Sequence, residues 1–189
     1  MMAPVVQQDD LALIGGARDG DDNCFAELVR RYEGTVAATV VSMLGAGDEA
    51  DEVGQEVMIK FYRSLGRFEG NASVRTYITR IAINSARDAL RRRKRNLMRF
   101  FAPRDNDSSW EDHVAGNQDQ HRDTENRDII QFALNRLHPD IRAVVVLRLM
   151  EGCSTEEAAD ILEVPSGTIL SRLSRGKAQM AQAITGAST

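Results

Sequence analysis

The sequence predicts an all-α protein made of two small helical domains that are joined by a flexible acidic linker. Apolar residues recur with helical spacing along most of the 189 residues, and no segment alternates with period two for long. Between two groups of such segments lies a stretch rich in Asp, Asn, Ser and Gln, which is typical of a tether. We therefore predict a first domain at 1–100, a linker at 101–126 and a second domain at 127–189.

The composition excludes several classes of protein. No apolar run approaches the roughly 18–20 residues that a membrane span needs, and no basic segment precedes an apolar core at the N-terminus. Two cysteines, Cys24 and Cys153, cannot by themselves form a disulfide framework or a four-ligand zinc site. We expect a cytoplasmic protein of a reducing compartment, with no membrane insertion.

Enzyme chemistry finds little support in the sequence. The three histidines have no ligand-like spacing with either cysteine, and each is expected on the surface or in the linker. A glycine-rich phosphate loop and a nucleophile–base arrangement are both missing from the pattern. The sequence therefore predicts no enzymatic activity, no catalytic residue, no metal and no cofactor.

The charge is unevenly distributed along the chain. The net charge is −4, yet residues 75–104 carry ten basic side chains and one acidic side chain. The segments on either side are acidic, with −7 over 1–74 and −6 over 105–130. This concentration of positive charge predicts a local polyanion-binding surface, and a solvated basic face is the alternative.

The basic segment is predicted to be a long helix from about Thr76 to about Arg95. Four polar residues recur at i, i+4, i+7 and i+11 on one face of it: Arg80, Asn84, Arg87 and Arg91. Such a row can follow a sugar–phosphate backbone while the amide contacts a base. The loop before it contains Phe68, Gly70 and Asn71, which could hold an unstacked base. The sequence equally allows Phe68 to pack into the core.

A second predicted helix begins with a cluster of carboxylates. Acidic side chains crowd its start at Asp48, Glu49, Asp51, Glu52 and Glu56. Carboxylates near a helix N-terminus are favourable for the helix dipole, which is a sufficient structural reason for them. A protein-docking surface is the functional alternative, and the sequence alone leaves both open.

The segment from Gly152 to Gln179 has the spacing of a helix-turn-helix. Ser154 and Glu157 form a capping box at the start of a short helix, and a turn follows around Pro165. The next helix presents polar residues suited to phosphates and base edges: Ser166, Thr168, Ser171, Arg172, Arg175 and Lys177. We predict DNA binding by this helix, with a plain helical hairpin as the alternative.

Taken in order, these segments resemble the bacterial extracytoplasmic-function (ECF, group 4) RNA polymerase sigma factors of the sigma-70 family. The resemblance covers roughly Asp22 to Arg95 and Asn126 to Ala183. It is carried by FAELVRRY (25–32), DEADEVGQEVMIKFYRSL (48–65), FEGNASVRTYITRIAINSARDALRRRKR (68–95) and LHPDIRAVVVLRLMEGCSTEEAADILEVPSGTILSRLSRGK (137–177).

The resemblance implies a role for each segment. The first domain would be sigma region 2 and would dock on the β′ clamp helices of core RNA polymerase through Asp48, Asp51, Glu52, Gln55 and Glu56. A base flipped from the −10 promoter element would be surrounded by Phe68, Gly70, Asn71 and Asn84, with nearby phosphates on Arg80, Arg87 and Arg91.

The second domain would be region 4, which would contact the polymerase β flap. It would read the −35 element through Ser166, Thr168, Ser171, Arg172, Arg175 and Lys177. Leu170 departs from the family here, because a lysine or arginine frequently stands at that position. An anti-sigma factor is the further partner that the resemblance implies.

Two other functions remain as alternatives. A free-standing helix-turn-helix regulator would bind duplex DNA without polymerase, but it would not explain the acidic helix or the loop of the first domain. A sigma-like decoy would bind an anti-sigma factor without using DNA, and it would be expected to have an eroded basic stripe. We therefore predict a sigma factor that recognises promoters and assists strand opening.

Overall fold

The computed structural model of the chain describes residues 5–100 and 122–187, and every regular element among them is helical. The α-helices are α1 (Val5–Arg18), α2 (Asp22–Leu44), α3 (Asp48–Ser64), α4 (Val74–Phe100), α5 (Arg122–Asn135), α6 (Pro139–Val145), α7 (Thr155–Leu162) and α8 (Ser166–Ala187). A 3-10 turn spans Leu65–Arg67, and a π-helical segment spans Val146–Met150. The predicted all-α fold class is confirmed.

The helices group into two units. The first contains the described residues up to Val41 together with Ala46–Ala86, and the second contains Ser42–Gly45 and the described residues from Arg87 onward. Most of the predicted linker, 101–121, lies outside the described residues, and its last residues form the start of α5. The domain boundaries at 100 and 126 stay a prediction.

In the first unit, an apolar stripe along α3 and the 3-10 turn forms part of the core. Val53, Val57, Phe61 and Leu65 are all buried, as their i, i+4 spacing requires. Asp48 is the first residue of α3 and does not cap it. Gly47 is the N-cap residue, with φ +141°, a conformation that a residue with a Cβ rarely adopts.

A buried carboxylate fastens α1 to α2. Asp10 is almost fully buried and accepts a hydrogen bond from the Tyr32 hydroxyl. It also forms an ion pair with Arg31, with a distance of 2.9 Å between the nitrogen and oxygen atoms. Burial, followed by the bond to Asp10, raises the pKa of Tyr32 above its ordinary value, so the phenol remains a donor. Ile14 and Ala17, which also belong to α1, are buried.

In the second unit, the run Ala143–Leu147 is buried and forms the centre of the core. The predicted capping box is present at α7, where Ser154 and Glu157 each satisfy the other's backbone N–H. Glu163 then takes a left-handed conformation with φ +55° and ends the helix, so that α8 begins three residues later. This is helix-turn-helix geometry.

One predicted helix is divided in the structure. The spacing predicts a single α-helix from about Asp140 to Met150. In the structure the α-helix α6 ends at Val145, and the remaining residues, Val146–Met150, are π-helical. The N–H of Glu151 donates to the Val146 carbonyl at 3.0 Å, five residues back. Within residues 5–100 and 122–187, no helix has the length and apolarity that crossing a membrane requires.

Candidate nucleic-acid interface

The acidic cluster lies on the outer face of α3. Asp48, Asp51, Glu52 and Gln55 are exposed, whereas Glu56 is half-buried and forms an ion pair of 2.8 Å with Lys60. The four exposed side chains are therefore available to a partner on the solvent side of the helix.

Sequence reasoning missed the apolar continuation of this face. Ile59 is 50% exposed and Tyr62 is 49% exposed, although both are large apolar residues. They follow Gln55 by four and seven residues, so they extend the stripe that begins at Asp48 and Glu52. The same helical spacing that revealed the acidic residues could have shown them.

The ring of Phe68 lies in the core of the first unit. Phe68 is 5% exposed and packs edge-on against Tyr77, with ring centroids 5.0 Å apart. Of the two positions that the sequence left open for this ring, the structure has the buried one. Gly70 and Asn71, which follow it, are exposed, and Gly70 has φ +77°. The tip of the loop is therefore exposed to solvent, and the buried ring of Phe68 supports it from below.

Helix α4 carries the predicted basic stripe in one continuous element. Asn84 and Arg91 are exposed, whereas Arg80 and Arg87 are half-buried. Arg91 is 3.3 Å from Asp88, three residues earlier. Ser73 begins the helix, because its hydroxyl accepts the N–H of Thr76 at 3.0 Å.

A single carboxylate contacts two of the predicted DNA-binding arginines. In the second unit, Asp140 lies 2.9 Å from Arg87 and 3.8 Å from Arg172. Burial raises the pKa of the Asp140 carboxyl, but the hydrogen bond and charge of Arg87, with Arg172 and His138, outweigh it and lower the pKa overall. Asp140 is therefore ionised at neutral pH, where these arginines would bind DNA.

The ion pair predicts a measurable titration. We expect Asp140 to titrate below its ordinary value of 3.8 in a carboxyl-resolved NMR titration, and Arg87→Ala to raise that pKa. Because the folded-state pKa is lowered, the carboxylate stabilises the fold above pH 3.8 and loses this effect as pH falls through the lowered value. Arg136→Ala, elsewhere in the second unit, is the control, and an equal shift in both variants would contradict the assignment.

The predicted reading helix is α8. Ser166, Ser171, Arg175 and Lys177 are exposed, and Thr168 and Arg172 are half-buried. Ile169 is buried and fixes the helix against the core, and Leu173, one turn later, is half-buried. The polar side chains therefore lie on the solvent side of a helix whose start is set by the turn.

Leu170 is the largest departure in this polar surface. It is 56% exposed, although leucine side chains are usually buried. An exposed aliphatic side chain among hydroxyls and cations offers an apolar contact, of the kind that a thymine methyl group accepts in the major groove.

Comparison with known proteins agrees with this geometry. The chain matches Sigma-70 region 2 over residues 28–96 and Sigma-70, region 4 over residues 127–180. It is 31% identical to the RNA polymerase sigma-H factor of Pseudomonas aeruginosa, over 95% of this chain and 96% of that one. It is also 31% identical to the ECF RNA polymerase sigma-E factor of Escherichia coli (strain K12), over 90% and 92% of the two chains.

A solved structure shows the same fold. The sigma factor RpoE of Bartonella quintana, crystallised with the anti-sigma factor NepR, superposes with a TM-score of 0.69 at 24% identity. The match covers 85% of this chain and 96% of that one. The chain belongs to the extracytoplasmic-function RNA polymerase sigma factors of the sigma-70 family. The family predicted from the sequence is confirmed.

Proposed function

We propose that this chain is an alternative sigma factor that binds core RNA polymerase, reads the −10 and −35 promoter elements and assists strand opening. The single observation that carries the proposal is the match to both sigma regions, in order, along one chain. The individual interfaces are assigned from the exposed side chains of α3, α4 and α8.

The polymerase interface is the outer face of α3. Its first half is acidic through Asp48, Asp51 and Glu52, and its second half is apolar through Ile59 and Tyr62. A polar rim beside exposed aromatic and aliphatic side chains is typical of a protein interface. The helix dipole explains the carboxylates but not the two exposed apolar residues, which favours docking on the β′ clamp helices.

The −10 interface is the loop after Phe68 together with the polar face of α4. Gly70 and Asn71 are exposed in the loop, and Asn84 is exposed on the helix. An extruded base needs hydrogen bonds to its edge, which these amides can supply, while Arg80 and Arg91 meet the phosphates. Phe68, whose ring is buried, would contribute by supporting the loop.

The −35 interface is the polar surface of α8. Hydroxyl groups near its start allow close approach to the major groove, and Arg172, Arg175 and Lys177 follow along the helix. In this assignment the chain itself catalyses no chemical reaction. It works in the cytoplasm, where RNA polymerase acts, and is released from an anti-sigma partner when required.

Paired substitutions test the two DNA interfaces. Asn84→Ala should lower the rate of open-complex formation about tenfold and leave duplex binding nearly unchanged, because one amide–base hydrogen bond pair is lost after strand opening. Arg172→Ala should weaken only promoters that depend on the −35 element. Both are measured with Escherichia coli core polymerase on promoters selected from a random library by the wild-type chain.

Each substitution serves as the control for the other. An equal loss of duplex binding and opening for Asn84→Ala would contradict the base-binding role, and an Arg172→Ala effect that survives scrambling of the −35 element would contradict that assignment. Tight duplex binding by the chain alone, with no polymerase-dependent transcripts, would favour a free-standing regulator instead.

A further inference from the structure

An arginine from α1 holds the chain at the start of the exposed loop. The Arg18 guanidinium donates from Nε to the Leu65 carbonyl at 2.8 Å and from a terminal nitrogen to the Phe68 carbonyl. Arg18 precedes residue 28, where the match to sigma region 2 begins. The contact therefore joins the loop to a helix outside the matched segment.

The two carbonyls that Arg18 contacts mark the point where helical structure changes to loop. Leu65 begins the 3-10 turn, and its carbonyl also accepts the N–H of Phe68 at 3.1 Å. Phe68 is extended, with φ −73° and ψ 111°. Because a peptide unit is planar, fixing the Phe68 carbonyl also fixes the N–H of Glu69, where the exposed part of the loop begins.

The helix that carries Arg18 is itself firmly placed. Ile14 and Ala17 are buried, and the ion pair and hydrogen bond of Asp10 fasten its other end. Leu11 of the same helix lies beside the loop, since a Cβ added to Gly70 would be 3.7 Å from its Cδ2 atom. Two side chains of α1 thus approach the loop at two points.

We propose that α1 is part of the −10-reading machinery and that Arg18 is a positioning residue for the loop from Glu69 to Ser73. Arg18 fixes the position of the backbone at the start of this loop, so that Gly70 and Asn71 are placed to contact the extruded base. The proposal rests on the proposed function of that loop. It assigns to Arg18 a role in base discrimination, with no direct contact to DNA required.

The planar guanidinium is the feature that matters here. Its donors lie in a fixed fork that suits two carbonyls at once, whereas a lysine ammonium is a point charge on a flexible stem. Arg18→Lys keeps the charge and loses the fork. Arg18→Ala loses both, so the two substitutions separate positioning from attraction to a phosphate.

The test is a specificity profile of the holoenzyme. Escherichia coli core polymerase with the full chain transcribes every single-base variant of one promoter selected by the wild-type chain. Arg18→Ala removes both bonds that hold the loop, and it should reduce discrimination at −10 positions about tenfold, the factor for losing one hydrogen bond between the loop and the base. Discrimination at −35 positions and the affinity for core polymerase should stay unchanged.

The companion variants complete the design. Arg18→Lys should lose −10 discrimination in the same direction, and it carries the test if Arg18→Ala does not fold. Arg30→Ala is the matched control, because it removes an exposed arginine that pairs with Glu27 on α2. Its profile should match that of the wild-type chain.

Three outcomes would overturn the proposal. They are an unchanged −10 profile, a uniform loss at all promoter positions, and a profile for Arg18→Lys that matches the wild-type chain while Arg18→Ala loses activity uniformly. Asn84→Ala distinguishes the source of failure. If it alters the −10 profile and Arg18→Ala does not, only the role of Arg18 fails; if neither alters it, the proposed −10 interface fails.

Discussion

Phe61→Ala is expected to lower the unfolding free energy of the first unit by about 3–5 kcal/mol, the usual cost of emptying a buried aromatic site. Phe61 is fully buried, and its ring lies 6.2 Å from that of Phe25 and 6.4 Å from that of Tyr77. Helices α2, α3 and α4 all contribute to its surroundings, so the cavity cannot close by moving one side chain. Stabilities of about 5–15 kcal/mol are usual for a domain, and this loss is a large part of that.

The neighbouring aromatic provides the comparison. Tyr62 is half exposed and makes one edge-on contact with Phe25, at 4.7 Å between ring centroids. Tyr62→Ala should cost the fold about 1 kcal/mol. It should weaken core polymerase binding about thirtyfold, the factor for an interface aromatic worth about 2 kcal/mol.

Urea unfolding followed by circular dichroism, together with titration of labelled core polymerase, separates the two effects. The prediction requires Phe61→Ala to lose stability and Tyr62→Ala to lose affinity while remaining folded. If Tyr62→Ala bound core polymerase as tightly as the wild-type chain, the apolar half of the α3 face would have no part in docking.

Gly176→Val is expected to destabilise the second unit by about 1–3 kcal/mol through overpacking, and to move the reading helix. A Cβ at this position would lie 2.5 Å from Cγ2 of Val145 and 3.0 Å from Cγ2 of Ile141. Both contacts are branched side chains of α6 that have little room to retreat, because Val145 is buried. Helix α8 must therefore move away from α6, and its polar face moves with it.

The matched control is Gly186→Val in the same helix, where an added Cβ has nothing within 4 Å. This substitution should change stability by no more than about 0.5 kcal/mol. Thermal unfolding and transcription from a promoter that depends on its −35 element are the measurements. Equal stability of the two variants would contradict the close packing of α8 on α6 at Gly176.

The elements that sequence reasoning predicted best are those set by local pattern. The buried stripe of α3 follows from the spacing of Val53, Val57 and Phe61, and the start of α7 follows from the side chains of Ser154 and Glu157. Both features depend on residues at most four positions apart. Periodicity and capping rules apply at that distance.

The features that could not be predicted depend on residues far apart in the chain. Arg18 contacts carbonyls 47 and 50 residues away, and Asp140 lies 53 residues from Arg87. The sequence contains the charged residues Arg18 and Asp140, but it does not indicate which distant groups they contact. The position of Phe68 was also open, because an aromatic residue in a loop can pack inward or face solvent, and its partner in the fold, Tyr77, is nine residues away.

Asp140 changes the thermodynamics of the proposed DNA complex. A phosphate that reaches Arg87 or Arg172 takes the place of a carboxylate, so the binding step is an exchange of one anion for another. Because the arginine gives up its ion pair with Asp140 when it meets the phosphate, the contact gains less free energy than the same contact by an arginine without such a pair. The two arginines therefore add little indiscriminate attraction to duplex DNA, and a larger share of the affinity comes from contacts that depend on base sequence.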